Sequence, residues 1–501
     1  MSDELHRLAL TVLQPGFEGL TPPDWVRRHL ADGLGAVGLF GRNIRTPEQV
    51  AALTAALRKE KDDVLVAIDE EGGDVTRLEV NEGSSWPGNL ALGTVDDVGL
   101  TRAVATGLGR DLARCGVDFN WAPDADVNSN QDNPVIGVRS FGSDPHLVAR
   151  HTVAYVEGLQ STGVVACVKH FPGHGDTSVD SHLGLPRVDA SRELLAEREL
   201  VPFRAAIAAG AKAVMSAHMV LPAYDAEYPA TLSRAILTGL LREELGFQGL
   251  IVTDGIEMGA IADTYGVADG SVRALAAGAD AVCIGGGLCD EATLLMIRDA
   301  IVTAVREGRL SAERLADAAA RVAALASWTR AAAAAGSGAP GPDGGLAAPG
   351  DHAPGLDAAR RAVRVEGVLR PVESAAHVLE LTSQANIAVG DATPWGVGAY
   401  LAEALPGTTV ARAGVTTFGL VDTQLAAAAG RPFVVVVRDL HRNVAAADLL
   451  AGLVAARPDT VVVEMGLPYG DAQGLTRIST HGAARVCGIA AAETLTGRTL
   501  R

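Results

Sequence analysis

The 501-residue sequence has no surplus of positive charge: 42 Lys and Arg stand against 60 Asp and Glu, a formal net charge of −18. Such a chain repels polyphosphate, and no basic stripe interleaved with aromatics offsets the repulsion, so a nucleic-acid partner is excluded. Long apolar runs are missing too. Hydrophobic residues make up 48% and charged residues 20%, enough to fold a core but too interspersed for a membrane protein. From Met1 to Leu20 no basic segment leads into an apolar run and a cleavage site, so the expected address is the cytoplasm. Cysteine is scarce: Cys115, Cys167, Cys283, Cys289 and Cys487 are odd in number and lack disulfide or zinc spacing. They read as reduced, mostly buried thiols. Small molecules remain as partners.

The clearest change of composition lies between Ala331 and Leu356, where Ala, Gly and Pro replace large apolar residues. It reads as a linker over 331–357, dividing a domain of residues 1–330 from one of residues 358–501. Before it, short apolar runs alternate with Ala/Leu-rich amphipathic stretches such as Thr46–Lys59, Arg192–Ala209 and Ser233–Leu245. This is the βα alternation of a parallel sheet. The runs are Gly35–Phe40, Val64–Ile68, Val117–Trp121, Val165–Val168, Ala213–Ser216, Leu250–Thr253 and Ala281–Ile284. Most end on or near groups able to do chemistry: Asp69, Asp124, Lys169 with His170, His218 and Asp254. A doubly wound sheet shares the pattern, but the length suits a barrel of roughly 250 residues with insertions, whose strand ends carry the active site. The expected fold is α/β, a (β/α)8 TIM-like barrel followed by a smaller domain. There Ile387–Gly390, Phe433–Val437 and Val461–Met465 are β-rich runs of an α/β sandwich. No phosphate-binding glycine fingerprint follows them, so nucleotide binding has no support.

The densest constellation is KHFPGHGDTSVDSH, Lys169 to His182, directly off an apolar run. Pro172, Gly173 and Gly175 keep it from being a helix. His170 and His174 have the spacing of a helical zinc motif, but that spacing gathers ligands only on a helix. No metal and no organic cofactor is therefore expected. Asp180 and His182, two residues apart in an extended segment, are close enough for the carboxylate to orient the imidazole as a general acid/base. In GFQGLIVTDGIEMGA, Asp254 ends a strand-like run and points into the barrel mouth, whether or not it also caps the next segment. In VLVAIDEEGGDVTR, Asp69, Glu70 and Glu71 follow a strand; Asp69 is suited to gripping hydroxyl groups, and Arg77 lies beyond. Arg139, in IGVRSFG, is a donor on a glycine-bordered loop.

In motif content and order the first 330 residues resemble the bacterial β-N-acetylglucosaminidases of glycoside hydrolase family 3, the NagZ type. The resemblance implies a barrel followed by an αβα sandwich. It implies that Asp254 is the nucleophile and that His182, held by Asp180, is the general acid/base. It places Lys169, His170, Arg139, Asp69 and Arg77 among the ligands of the sugar preceding the scissile bond, and His218, in MSAHMVLP, in the same pocket. The reaction it implies is hydrolysis with retention, through a covalent glycosyl-Asp254 intermediate. The expected substrate is a small glycan with a terminal N-acetylglucosamine, either a peptidoglycan fragment or a chitooligosaccharide.

Three positions depart from the family pattern. Glu70 stands where Gln is common and Asp74 where Arg is common, giving an expected acidic rim that favours neutral oligosaccharides over muramic-acid compounds. Gly255 follows the nucleophile where Ala or Asp is more usual. Alternatives stay open: a β-glucosidase-like enzyme with its acid on the second domain, for which Glu464 is the candidate; a phosphorylase using an anionic acceptor; and a sugar-binding protein without turnover.

Overall fold

The computed structural model describes residues 2–287, 290–335, 352–382, 389, 393–417, 419–470 and 476–500. Cys289, most of the expected linker and most of the Ile387–Gly390 run lie outside the described residues; the other four cysteines are free and buried. The chain divides into two compact units. One comprises Met1–Glu71, Thr101–Ile136 and Ser143–Asp351; the other comprises Gly72–Leu100, Gly137–Gly142 and His352–Arg501. Among the described residues no helix is long and apolar enough to cross a membrane.

In the first unit eight short parallel strands follow one another: β1 (Leu13–Pro15), β2 (Ala36–Leu39), β3 (Leu65–Ile68), β4 (Phe119–Asn120), β5 (Val165–Phe171), β6 (Ala213–Ser216), β7 (Leu250–Thr253) and β8 (Val282–Ile284). Strands β2 to β7 are hydrogen-bonded neighbours in sequence order, β1 pairs with β8, and a Val252–Ala281 bridge carries the sheet from β7 towards β8. This is the (β/α)8 architecture. The expected strands all occur; β1 was not legible because three residues with a Gln and a Pro make no apolar run.

Alternate strand residues, among them Leu65, Ala67, Phe119, Val165, Cys167, Met215 and Val252, face one buried cluster that Val322, Leu325 and Ala326 of the helix Ala312–Ala334 also join. The opposite faces lie under helices, as parallel strands require. Helix starts follow local chemistry: Thr46 accepts the Gln49 N–H before Pro47–Glu60, and Asp144 caps Pro145–Gln160. The expected helix Arg192–Ala209 is two, Arg192–Glu197 and Leu200–Ala208. Pro202 has no N–H to bond the carbonyl four residues back, so the first helix cannot run on. The Ser233–Leu245 stretch winds over Ala235–Glu244 as a π-helix.

Among its described residues the second unit has six strands: β9 (Arg364–Glu366), β10 (His377–Thr382), β11 (Thr409–Gly414), β12 (Phe433–Val437), β13 (Val461–Glu464) and β14 (Thr476–Ser479), in the order β11-β10-β12-β13-β14-β9, of which β9 is antiparallel to its neighbour. Both faces are covered. Val434 and Val436 pack into a cluster with Leu401, Val486 and Ala490, while Phe433, Val435 and Val437 pack into another with Leu420, Leu450 and Leu453. Sequence expectation located β12 and β13 but not β9, β10, β11 or β14; β9 is exposed throughout and carries no alternation to read.

Candidate active site

Strand β5 delivers two adjacent side chains to the end of the barrel. The Lys169 ammonium, 2% exposed, lies 2.6 Å from Asp69 Oδ1 and 2.6 Å from Glu71 Oε1. One cation thus offsets the repulsion among the acids after β3. His170 places Nδ1 2.7 Å from Asp126 Oδ2, and Asp126 Oδ1 accepts the backbone N–H groups of His170 and His174. Burial would raise the Asp126 pKa, but His170, and His174 beyond it, outweigh burial and keep it low. Asp126 was not among the expected site residues. The signal was available: Asp124 and Asp126 alternate just after β4, and both are wholly buried.

From Gly173 to Gly184 the chain forms the loop that carries the expected acid/base. Gly173 has φ +129°, and a Cβ there would lie 2.6 Å from Glu199 Oε2 and 2.7 Å from Glu199 Cβ. A Cβ at Gly175 would collide with the Val127 carbonyl. Only glycine lets the loop lie this close to its supports. Arg198 holds Asp176 at 2.5 Å, and Asn133 Nδ2 bonds the His174 and Gly175 carbonyls. At its end, Asp180 Oδ1 is 2.7 Å from His182 Nδ1 and accepts the His182 N–H at 2.9 Å. Desolvation works to raise the Asp180 pKa, but the bonds from His182 hold it below the ordinary value. The Ser181 carbonyl accepts the Ala260 N–H, tying this loop to the segment after β7.

Asp254 follows β7 and accepts the Gly255 N–H at 2.8 Å. Its burial opposes ionisation, yet His170, His218 and His182 are near enough, with the Gly255 bond, to hold its carboxyl well below the usual range. Asp254 is therefore a carboxylate at neutral pH, ringed by histidines. His218 itself is wholly buried, with Nδ1 2.8 Å from Thr231 Oγ1 and Nε2 2.9 Å from the Gly255 carbonyl. Burial lowers its pKa against the pull of Asp254. Both nitrogens are engaged with protein, and the Nε2 contact braces the chain next to Asp254.

The structure gathers Asp69, Lys169, His170, Asp180, His182, His218 and Asp254 on the first unit; Arg77 and Arg139 lie on segments of the second. Arg139 is 6% exposed and its carbonyl accepts the Asn89 side chain, while Arg77 is half-buried. The expected acidic rim does not materialise. Glu70 and Asp74 are 2% and 6% exposed, and Asp74 is paired with Arg438. Their charges are not presented to solvent, so they give no reason to prefer neutral glycans. Glu464, 3% exposed, spends its carboxylate on the backbone N–H groups of Asp439, Leu440 and Gly466. Burial and Asp439 push it up to about 7, but its oxygens serve as a turn anchor.

Among the described residues Asp124, Asp126 and His170 each place one possible metal ligand within 4.8 Å of the others. The 2.7 Å contact between Nδ1 and Asp126 requires a proton between them, which a metal ion cannot share. His174, the other half of the zinc-like spacing, bonds Thr177 and Ser181 instead. The grouping fits a hydrogen-bonded Asp–His pair.

A barrel that presents an ionised carboxylate at one strand end and a carboxylate-held imidazole on a neighbouring loop defines the layout of a glycoside hydrolase. The chain belongs to glycosyl hydrolase family 3: residues 21–325 match the model described as "Glycosyl hydrolase family 3 N terminal domain". It is 36% identical over 344 residues to the "Beta-hexosaminidase A" of Pseudoalteromonas piscicida, a match covering 64% of this chain and 56% of that protein. It is 38% identical over 259 residues to a "Beta-hexosaminidase" of Alkalilimnicola ehrlichii, covering 50% of this chain and 73% of the relative. Among solved structures, a family 3 β-N-acetylglucosaminidase from Paenibacillus sp. str. FPU-7 superposes with a TM-score of 0.87 at 35% identity, over 99% of this chain and 97% of that one.

Proposed function

We propose that this protein is a retaining β-N-acetylglucosaminidase that releases terminal non-reducing β-linked N-acetylglucosamine from small glycans. The observation that carries the reading is the 2.7 Å Asp180–His182 bond on a loop tied to the segment after Asp254. Asp180 binds the Nδ1 proton, leaving Nε2 as the nitrogen that exchanges protons with substrate. Asp254 attacks the anomeric carbon while Nε2–H passes its proton to the leaving oxygen, giving a glycosyl-Asp254 ester. The imidazole then takes a proton from water, which opens the ester with the β configuration regained. Lys169, His170, Asp69, Arg77 and Arg139 are assigned to the sugar hydroxyls. No metal or organic cofactor takes part.

The glycan of this reading is a muropeptide or a chitooligosaccharide, and a cytoplasmic enzyme of peptidoglycan-fragment turnover is the role it assigns. The decisive assay uses 4-nitrophenyl N-acetyl-β-glucosaminide with wild type and Asp254→Asn, following nitrophenol and anomeric configuration together. Release with retention, lost in the variant, supports the reading; inversion, or an active variant, removes it. Sugar 1-phosphate formed only with added phosphate would mark a phosphorylase.

A further inference from the structure

The loop that carries Asp180 and His182 starts against a carboxyl group that the proposed reaction does not use. Glu199 stands between the helices Arg192–Glu197 and Leu200–Ala208 and is 1% exposed. Its Oε1 accepts Arg198 Nε at 2.6 Å, while Oε2 is buried with no hydrogen-bond donor among the described residues. A half-satisfied buried carboxylate costs stability, so packing does not account for it; an apolar side chain would fill the space at less cost. The contacts that lead from it to the loop lie wholly within the first unit. Its side chain takes up the room left by the missing Cβ at Gly173, where a Cβ would lie 2.7 Å from Glu199 Cβ. Arg198 Nη2 reaches Asp176 Oδ2 at 2.5 Å, so Glu199 and Asp176 share one guanidinium. His174 Nε2 then lies 3.1 Å from Ser181 Oγ, which fastens the start of the loop to the residue between Asp180 and His182. The Phe171 and Phe203 rings meet edge to face at 5.3 Å between centroids, which seats the helix after Glu199 on β5, the strand from which the loop departs.

We propose that Glu199 is a positioning residue for the general acid/base, acting through Arg198 and Asp176 on the loop that holds His182, a role that rests on reading the Asp180–His182 pair as that acid/base. A guanidinium bonded to carboxylates on two sides cannot follow one without leaving the other, so Glu199 sets where Asp176 lies. Proton transfer to a leaving oxygen suffers from small displacements of the donor, and a misplacement of about 1 Å can cost on the order of 10²-fold. Asp254 is carried by β7 and not by this loop, so a weakened hold falls on protonation of the leaving group. Burial pushes the Glu199 carboxyl up to about 7 against the pull of Arg198, with Asp126 and Asp176 adding to the rise. At pH 8 it is therefore mostly ionised, and replacing it by Gln removes a charge without changing its shape.

The test compares full-length Glu199→Gln, Arg198→Met, Asp176→Asn and, as a reference, Asp180→Asn at pH 8 on chitobiose and on 4-nitrophenyl N-acetyl-β-glucosaminide, with thermal unfolding alongside. Chitobiose needs its leaving oxygen protonated and nitrophenolate leaves with less help, so the ratio of the two kcat losses reports on the acid alone. The expected result is a kcat about tenfold lower on chitobiose in each of the first three variants, and within about threefold of wild type on the nitrophenyl substrate. Combining Glu199→Gln with Arg198→Met should be no worse than Arg198→Met alone, since the two act as a unit. A merely structural role would lower the Tm and reduce turnover of both substrates alike. If folded Glu199→Gln keeps both kcat values within about twofold of wild type, or loses equally on both, while Asp180→Asn loses more on chitobiose, the positioning role is overturned and the acid/base reading stands. Equal losses in Asp180→Asn would remove that reading and the role of Glu199 with it. Should Arg198→Met not fold, Glu199→Gln and Asp176→Asn decide.

Discussion

His182 Nδ1 lies 2.7 Å from Asp180 Oδ1, and the same oxygen accepts the His182 backbone N–H. The carboxylate fixes both the ring and the chain that carries it, so the imidazole cannot turn without losing its Nδ1 bond while the backbone bond holds the residue in place. Asp180→Asn should lower kcat on chitobiose by roughly 10² to 10⁴. The loss on 4-nitrophenyl N-acetyl-β-glucosaminide should be smaller, since nitrophenolate leaves with less help. Equal losses on both substrates would count against an acid role.

Asp254→Gly should lose on the order of 10⁴-fold or more in kcat. Azide should restore turnover by entering the vacated space from the α face, and the product should be the α-glycosyl azide. A β-azide would mean that another group forms the intermediate.

His218→Leu removes one hydrogen bond from the Gly255 carbonyl, which still accepts the Met258 N–H, and one from the Thr231 hydroxyl, which keeps Ser216 Oγ and the Ala217 carbonyl. Each lost hydrogen bond costs about 0.5–1.5 kcal/mol, so denaturant unfolding should show a modest loss of stability. Bracing predicts a lower kcat with KM nearly unchanged. A raised KM with kcat intact would support the sugar-contact role that the resemblance implies.

Gly173→Ala adds a methyl where Glu199 already lies within 2.7 Å, at a φ of +129°. The loop from Gly173 to Gly184 must shift, so kcat/KM should fall at least tenfold while cooperative unfolding persists. Full activity in this variant would show that the loop position does not matter to turnover.

His174 is buried, and burial lowers its pKa from the ordinary 6.5 to about 4. Below pH 6.5 the unfolded chain binds a proton that the folded chain refuses, so stability is present above 6.5 and lost as pH falls towards 4. The contribution is on the order of 3 kcal/mol. Urea unfolding between pH 4.5 and 7 should show a flatter dependence in His174→Gln than in wild type; parallel curves would refute it.

The barrel was legible because its strands are continuous apolar runs ending in charged residues, and a parallel strand buried on both faces leaves that trace. The Asp180–His182 pair was legible for a different reason: two residues apart in an extended loop, they needed no distant partner to meet. The strands β9, β11 and β14 left no such trace, being short or exposed, and in β10 His377 and Glu380 interrupt the apolar run; all four took their places only through neighbours in the sheet.

What the sequence by itself determined is which residues stand at the strand ends, since chain order and strand period fix that locally. Only the tertiary structure decided what those residues face. Asp74 looked like an exposed rim charge until Arg438, 364 residues away, was found against it. The partners of both His218 ring nitrogens, Thr231 and the Gly255 carbonyl, appear only in the fold, and Asp126 was passed over until it was found under His170. In each case the deciding quantity is a buried charge or hydrogen-bonding group seeking a partner. That partner is set by packing across the whole fold, and it can lie anywhere along the chain.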